Sequence, residues 1–110
     1  MKTVYIASSY TKGNCNDNVR QPLLIAEKLV EMGYLPFCPL LTHFWDFLSP
    51  HPYDYWMKLD EGWLKKCDIL LRLPGESEGA DHEVRLAKLN YIPVVFGMES
   101  FMIQHAEHKL

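Results

Sequence analysis

Four short apolar runs alternate along the chain with stretches of helical character. The runs are Thr3 to Ala7, Leu35 to Pro39, Asp68 to Leu73 and Ile92 to Phe96, and they are rich in residues that suit a pleated surface. After the first run, Val19, Leu23, Ala26 and Val30 recur at helical spacing, joined by Ile25 and Leu29. Asn16 or Asp17 offers an N-cap, Pro22 falls near the first turn, where proline is tolerated, and Gly33 supplies the stop. Tyr53 to Lys66 reads as a helix with Trp56, Leu59, Trp63 and Leu64 on one side. Ala80 to Leu89 reads as another, with Ala80, Val84, Leu86 and Ala87 facing inward. A short helix from Ser100 to Lys109 ends the chain. Strands that alternate with helices imply a parallel sheet joined by right-handed crossovers. Near-continuous apolar strands imply a sheet covered on both faces. The expectation is an α/β fold: a three-layer flavodoxin-like or Rossmann-like domain, residues 1 to 110, around a parallel sheet of about four strands. Pro36 and Pro39 make the second run an edge strand.

Composition narrows the function classes. Hydrophobic residues make up 48 % and charged residues 23 %, values that suit a globular core and exclude disorder. The formal net charge is −3, which argues against a nucleic-acid polymer as the main ligand. No apolar run approaches the ~18 residues of a membrane span. Met1 to Tyr5 leads straight into a strand, so no leader peptide is expected. The three cysteines, Cys15, Cys38 and Cys67, are widely spaced and form no Cys-x-x-Cys. They read as thiols of a reducing compartment, which places the protein in the cytoplasm. His43, His51, His82, His105 and His108 form no metal-ligand spacing, and His105 and His108 read as part of a solvated tail. Neither a metal nor a cofactor is implied. A domain this short that carries chemistry is expected to complete its site as a homo-oligomer.

In such sheets a ligand sits beyond the carboxyl ends of the strands, at the point where strand order reverses. That edge gathers the loop Ser8 to Asn16, the interval Leu40 to Tyr55 and the loop Pro74 to Gly79. Ser77-Glu78-Gly79-Ala80-Asp81-His82-Glu83 joins a strand to a helix start, where backbone N–H groups and the helix dipole favour an anion. Glu83 falls about one turn into this helix, where the dipole would keep it ionised as a carboxylate nucleophile. The structural alternative is that Ser77 and Asp81 are caps and Glu83 a first-turn acid. Asp60 lies on the preceding helix, and Asp68 reads as a structural cap on the far edge. The run Ser8-Ser9-Tyr10-Thr11-Lys12-Gly13 is neither G-x-G-x-x-G nor a P-loop, but its hydroxyls and N–H groups could hold a phosphate, with Lys12 and Arg20 supplying charge. The aromatic interval Phe44 to Trp56, broken by Pro50 and Pro52, reads as loop-like, either core or a platform for a flat ring such as a nucleobase.

Three motifs in this order carry a family resemblance: Tyr5-Ile6-Ala7-Ser8-Ser9, Asp60-x-x-Trp63-Leu64-x-x-Cys67-Asp68, and Ser77-x-Gly79-x-x-x-Glu83-x-x-x-Ala87. Together they resemble the nucleoside 2-deoxyribosyltransferase superfamily over Val4 to Phe96. The likeness is to its short bacterial and phage branch and to the 2'-deoxynucleoside 5'-phosphate N-hydrolases. The resemblance implies that Glu83 attacks the anomeric carbon, that Asp60 assists the departing base, and that Tyr5 stands beside the nucleophile. It implies that Ser9 and Ser77 bind a 5'-phosphate. Ser8, Gly79, Arg72 and Trp45 complete the expected substrate contacts. Arg72 has no placed counterpart in those hydrolases and could bind an anion or pair with Glu76 or Glu83. Expected activities are N-glycosidic cleavage of a (deoxy)nucleoside 5'-monophosphate, base exchange between deoxynucleosides, or nucleotide binding without turnover. The partner in each case is a small nucleoside or nucleotide, with no membrane and no nucleic-acid polymer.

Overall fold

The computed structural model describes residues 1–8, 15–39 and 41–105. The elements run β1 (Thr3–Ala7), α1 (Cys15–Glu31), β2 (Leu35–Phe37), α2 (Leu41–Leu48), α3 (Tyr53–Leu64), β3 (Ile69–Arg72), α4 (Glu78–Leu89), β4 (Val94–Phe96) and α5 (Met98–His105). The strands form one sheet in the order β2-β1-β3-β4, and every pairing is parallel. This is the expected three-layer α/β, flavodoxin-like arrangement. Strand order reverses between β1 and β3, whose registers place Ala7 opposite Arg72 at their carboxyl ends.

Period-two alternation splits the strand side chains between two cores. Val4, Ile6, Ile69, Leu71 and Val95 face one side and pack with Leu29, Met32 and Phe101. Tyr5, Ala7 and Leu70 face the other and pack with Leu64, Ala80, Val84 and Ala87. Right-handed crossovers require this split: β1 to β2 and β3 to β4 step in opposite directions, so α1 and α4 lie on opposite faces. Arg72 lies two residues beyond Leu70 and shares the face covered by α3 and α4.

Five sequence expectations need correction. α1 starts at Cys15, so Asn16 and Asp17 belong to the helix instead of capping it, and Pro22 lies inside it, beyond the first turn. The interval after Leu40 holds a helix, α2, and a second helix starts at Tyr53. Pro50 and Pro52 mark the joint between the two helices. Asp46 fastens that joint by accepting from Trp56 Nε1 at 2.7 Å and from His51 N at 2.9 Å. In α1 the inward residues are Pro22, Ile25, Ala26 and Leu29, whereas Leu23 and Val30 are exposed. Apolar residues occupy two phases of this helix, and the packing selects the phase one residue earlier. The α4 helix begins at Glu78, before Ala80, because Ser77 caps it: Ser77 Oγ accepts from Ala80 N at 3.0 Å. The last helix starts at Met98, and His105 packs on Phe101 and Tyr34 instead of standing in solvent. His108 lies outside the described residues.

Asp68 is structural, as expected. Its carboxylate accepts from Thr3 N at 2.8 Å and Thr3 Oγ1 at 3.1 Å, and the backbone bond from Thr3 holds it below the usual carboxylate range. Cys38 and Cys67 are buried. No helix among the described residues is long and apolar enough to cross a membrane.

Phe101 is the buried residue of α5 and stacks edge-on against Tyr34 at 5.1 Å. Phe101→Ala is expected to cost about 3–5 kcal/mol in urea unfolding, because the cavity it leaves is lined by the β-sheet and cannot collapse.

Candidate active site

Two carboxylic acids are buried on the face of the sheet that α3 and α4 cover. Asp60 is 3 % exposed and Glu83 6 %. On α4, Glu83 shares the inward stripe of Ala80, Val84 and Ala87, and on α3 Asp60 shares that of Trp56 and Leu64. The same packing that buries the apolar residues therefore carries both acids out of water. Tyr5, fully buried in β1, reaches up from the sheet and donates its hydroxyl proton to Glu83 Oε2. Asp60 Oδ1 is buried without a hydrogen-bond partner among the described residues. An orphan acceptor of this kind is costly and marks a position where a ligand can supply the donor.

Burial changes the protonation of both groups. It pushes Asp60 from an ordinary 3.8 up to about 7. It pushes Glu83 from 4.5 up to about 8; the charge of Asp60 adds to this, while the Tyr5 hydrogen bond and the Arg72 charge oppose it. The place of Glu83 on α4 favours its ionised form, as expected, but burial acts against it and raises its pKa. The two acids interact, so their protons belong to the pair.

Arg72 closes one side. It is 8 % exposed, and its guanidinium donates to Leu73 O, to Gly75 O at 2.8 Å and to Asp81 Oδ1 at 3.0 Å. The expected partners Glu76 and Glu83 give way to Asp81, which the α4 start brings level with the end of β3. Arg72 still acts on Glu83 through space. A cleft of about 380 Å³ opens where Arg72 meets Asp81, Phe96 and Gly97. A bound anion there could replace the carboxylate of Asp81, which is 58 % exposed, but would have to compete with it.

The remaining expected residues divide. Gly79 lies at the start of α4, and Ser77 spends its oxygen lone pair on the cap, leaving its hydroxyl proton to give. Ser8 follows β1 directly, and Ser9 lies outside the described residues, as does Lys12. Trp45 is half exposed on α2 and packs edge-on at 5.3 Å against Trp56, which shares the buried stripe of Asp60. Phe37 was not anticipated. It is the register partner of Tyr5, lies 5.5 Å from the Tyr5 ring and stacks on Trp63 at 4.9 Å. These contacts fix the ring whose hydroxyl serves Glu83. The signal in sequence was faint, a lone Phe between two prolines. Also unanticipated is the pair His82–Glu61, at 3.1 Å between α4 and α3.

Comparison with known proteins bears on this arrangement. A family model described as a domain of unknown function (DUF7768) matches residues 2–97. The fold is similar to that of the 2-deoxyribosyltransferase of the psychrotolerant bacterium Bacillus psychrosaccharolyticus, with a TM-score of 0.66 at 17 % identity, over 86 % of this chain and 70 % of that one. No curated protein matches.

Both acids hold protons in the folded state that they lose in the unfolded one. Between the unfolded values of 3.8 and 4.5 and the folded values of about 7 and about 8, the native state binds more protons. Stability contributed by these groups is therefore full below the unfolded values and falls as pH rises through the folded ones. Urea midpoints taken at about pH 5 and about pH 9 should show the protein weaker at the higher pH. Asp60→Asn should shrink that difference.

Proposed function

The chain belongs to the DUF7768 family, and we propose that its site cleaves the N-glycosidic bond of a (deoxy)nucleoside 5'-monophosphate with Glu83 as nucleophile. The observation that carries this reading is the pair of buried acids, one held by Tyr5 and one with an unpartnered oxygen, at the edge of the sheet where strand order reverses. The likeness in fold to a 2-deoxyribosyltransferase supports it.

The steps follow from the proton inventory. At rest Glu83 is the less acidic of the two, so in the reactive form the single proton of the pair has to pass to Asp60 as substrate binds. Glu83 attacks the anomeric carbon; the carbon–nitrogen bond breaks and its electrons leave with the base, which takes the proton of Asp60. A glycosyl ester on Glu83 results. Asp60, now a carboxylate, accepts a proton from water as that water attacks the same carbon, and Glu83 leaves as a carboxylate. Tyr5 and Arg72 favour the ionised nucleophile, and positive charge growing on the sugar ring favours it further. No cofactor takes part. The 5'-phosphate is assigned to Ser8, Ser9, the Ser77 hydroxyl, the N–H groups at Gly79, and Arg72. Assembly into a homo-oligomer in the cytoplasm belongs to the same reading. Leu23, Leu24 and Val30, exposed together on α1, offer an apolar strip for contact. Base exchange, in which a second base takes the place of water, is the alternative that the activity of the structural neighbour favours.

The test is release of free base from a panel of deoxynucleosides and their 5'-monophosphates, separated by chromatography. Wild type should release base from monophosphates in preference to nucleosides, with a narrow bell-shaped pH profile between the apparent values of the pair. Glu83→Ala should abolish release while the circular dichroism spectrum is retained. A preference for plain nucleosides, or base swapping without net hydrolysis, would favour exchange. Ligand affinity with no free base at any protein concentration would mean binding alone.

A further inference from the structure

Helix α1 packs Pro22, Ile25, Ala26 and Leu29 toward the sheet and turns Arg20, Leu23, Leu24 and Glu27 outward. These last four stand at i, i+3, i+4 and i+7, so they form one stripe on the side of the helix away from the core. The stripe runs about 10 Å along the helix. Together with Ala26 and Val30 it lines a groove of about 590 Å³. Leucines exposed singly need no explanation, but an apolar groove bordered by a cation at one end and an anion at the other does. Neither Arg20 nor Glu27 makes an ion pair among the described residues. Along the stripe the order is cation, leucine, leucine, anion, and its midpoint falls between Leu23 and Leu24. A half-turn about that midpoint exchanges the two leucines and exchanges the two charges. The stripe is therefore complementary to itself, which is the condition for a two-fold contact.

We infer that a second copy of this chain occupies the groove, docked by its own α1, antiparallel across a two-fold axis that passes between Leu23 and Leu24. In this register Arg20 of each subunit faces Glu27 of the partner subunit, and Leu23 faces Leu24 of the partner subunit. The ion pair forms twice, once at each end, and the leucines between exclude water. The charges also set direction, since a parallel alignment would put Arg20 against Arg20 and Glu27 against Glu27. Another partner would need the same spacing of charges in reverse, which a second copy supplies of itself. The inference rests on the homo-oligomer of the reading above and names its face and direction; it takes nothing from the chemistry. α1 and the acid pair lie on opposite faces of the sheet. Antiparallel docking also turns the carboxyl edges of the two sheets to opposite ends, so this contact brings no residue of the partner to either site. One helix per subunit makes a contact at the small end of specific interfaces, and dimer should exchange with monomer in the micromolar range.

The experiment is sedimentation equilibrium of the full chain from about 5 to about 500 µM, over which wild type should pass from monomer to dimer. Glu27→Arg sets like charges opposite one another at both ends and should weaken the dimer about tenfold. Arg20→Glu combined with Glu27→Arg reverses both charges and should return the affinity to within about threefold of wild type. Leu24→Asp should leave a monomer, with circular dichroism checking that its helix content is kept. The charge variants sit at exposed positions and carry the test if Leu24→Asp does not fold. Wild type that stays monomeric throughout overturns the inference. A dimer indifferent to Leu24→Asp and to Glu27→Arg overturns it as well, and a double variant that fails to recover overturns the antiparallel register. Base release per subunit, read by chromatography on the same samples, should be equal for wild type and Leu24→Asp. Release lost together with the dimer overturns the separation of this contact from the site. A wild-type dimer of this kind that releases no base upholds the contact and removes the catalytic reading instead.

Discussion

The hydrogen bond from Tyr5 to Glu83 ties the central strand of the sheet to the helix that covers it, and much else depends on it. A carboxylic acid can be kept inside a protein if it is neutral or if its charge is matched. Here the match is partial: one phenol and a cation at some distance oppose the loss of water and the charge of a second acid. The result is a group that stays protonated in the resting protein and ionises when something positive arrives. Phe37 and Trp63 stack behind the Tyr5 ring and make the arrangement rigid.

Much of the fold could be read from the chain because its strands are short, apolar and separated by helical periods. The four strands and the helices α1, α3 and α4 follow from that alternation. The helix at Leu41 to Leu48 did not: its apolar residues at 41, 44, 45 and 48 do recur at helical spacing, but the run is only two turns long and Pro50 and Pro52 follow it at once. The inward face of α1 was displaced by one residue for a different cause: Leu23, Leu24 and Val30 are apolar without being buried, so hydrophobicity alone names two faces.

The site was legible in its residue types and not in its electrostatics. Tyr5, Asp60 and Glu83 could be named from their motifs, and the structure brings them onto one face. Their protonation could not, because it depends on how much water the packing removes, and spacing carries no record of that. Position on a helix suggested an ionised Glu83; the depth of its burial acts against that and raises its pKa. Arg72 shows the same limit. Its place at the end of β3 was evident, yet its partner is Asp81, because Ser77 starts α4 early enough to present that carboxylate.

The edge strand β2 bears on how copies of this chain can associate. Leu35 turns its N–H toward β1, bonding Lys2 O at 2.9 Å, so the next residue in the alternation faces away from the sheet. That residue is Pro36, which has no N–H to offer. The outer border of β2 is therefore missing a donor at the middle of its three residues, and another strand cannot dock there in regular register. Growth of the sheet by lateral addition is blocked on this side by covalent structure. Two copies of this sheet would therefore not be joined strand to strand through β2, and on that side each sheet ends inside its own subunit.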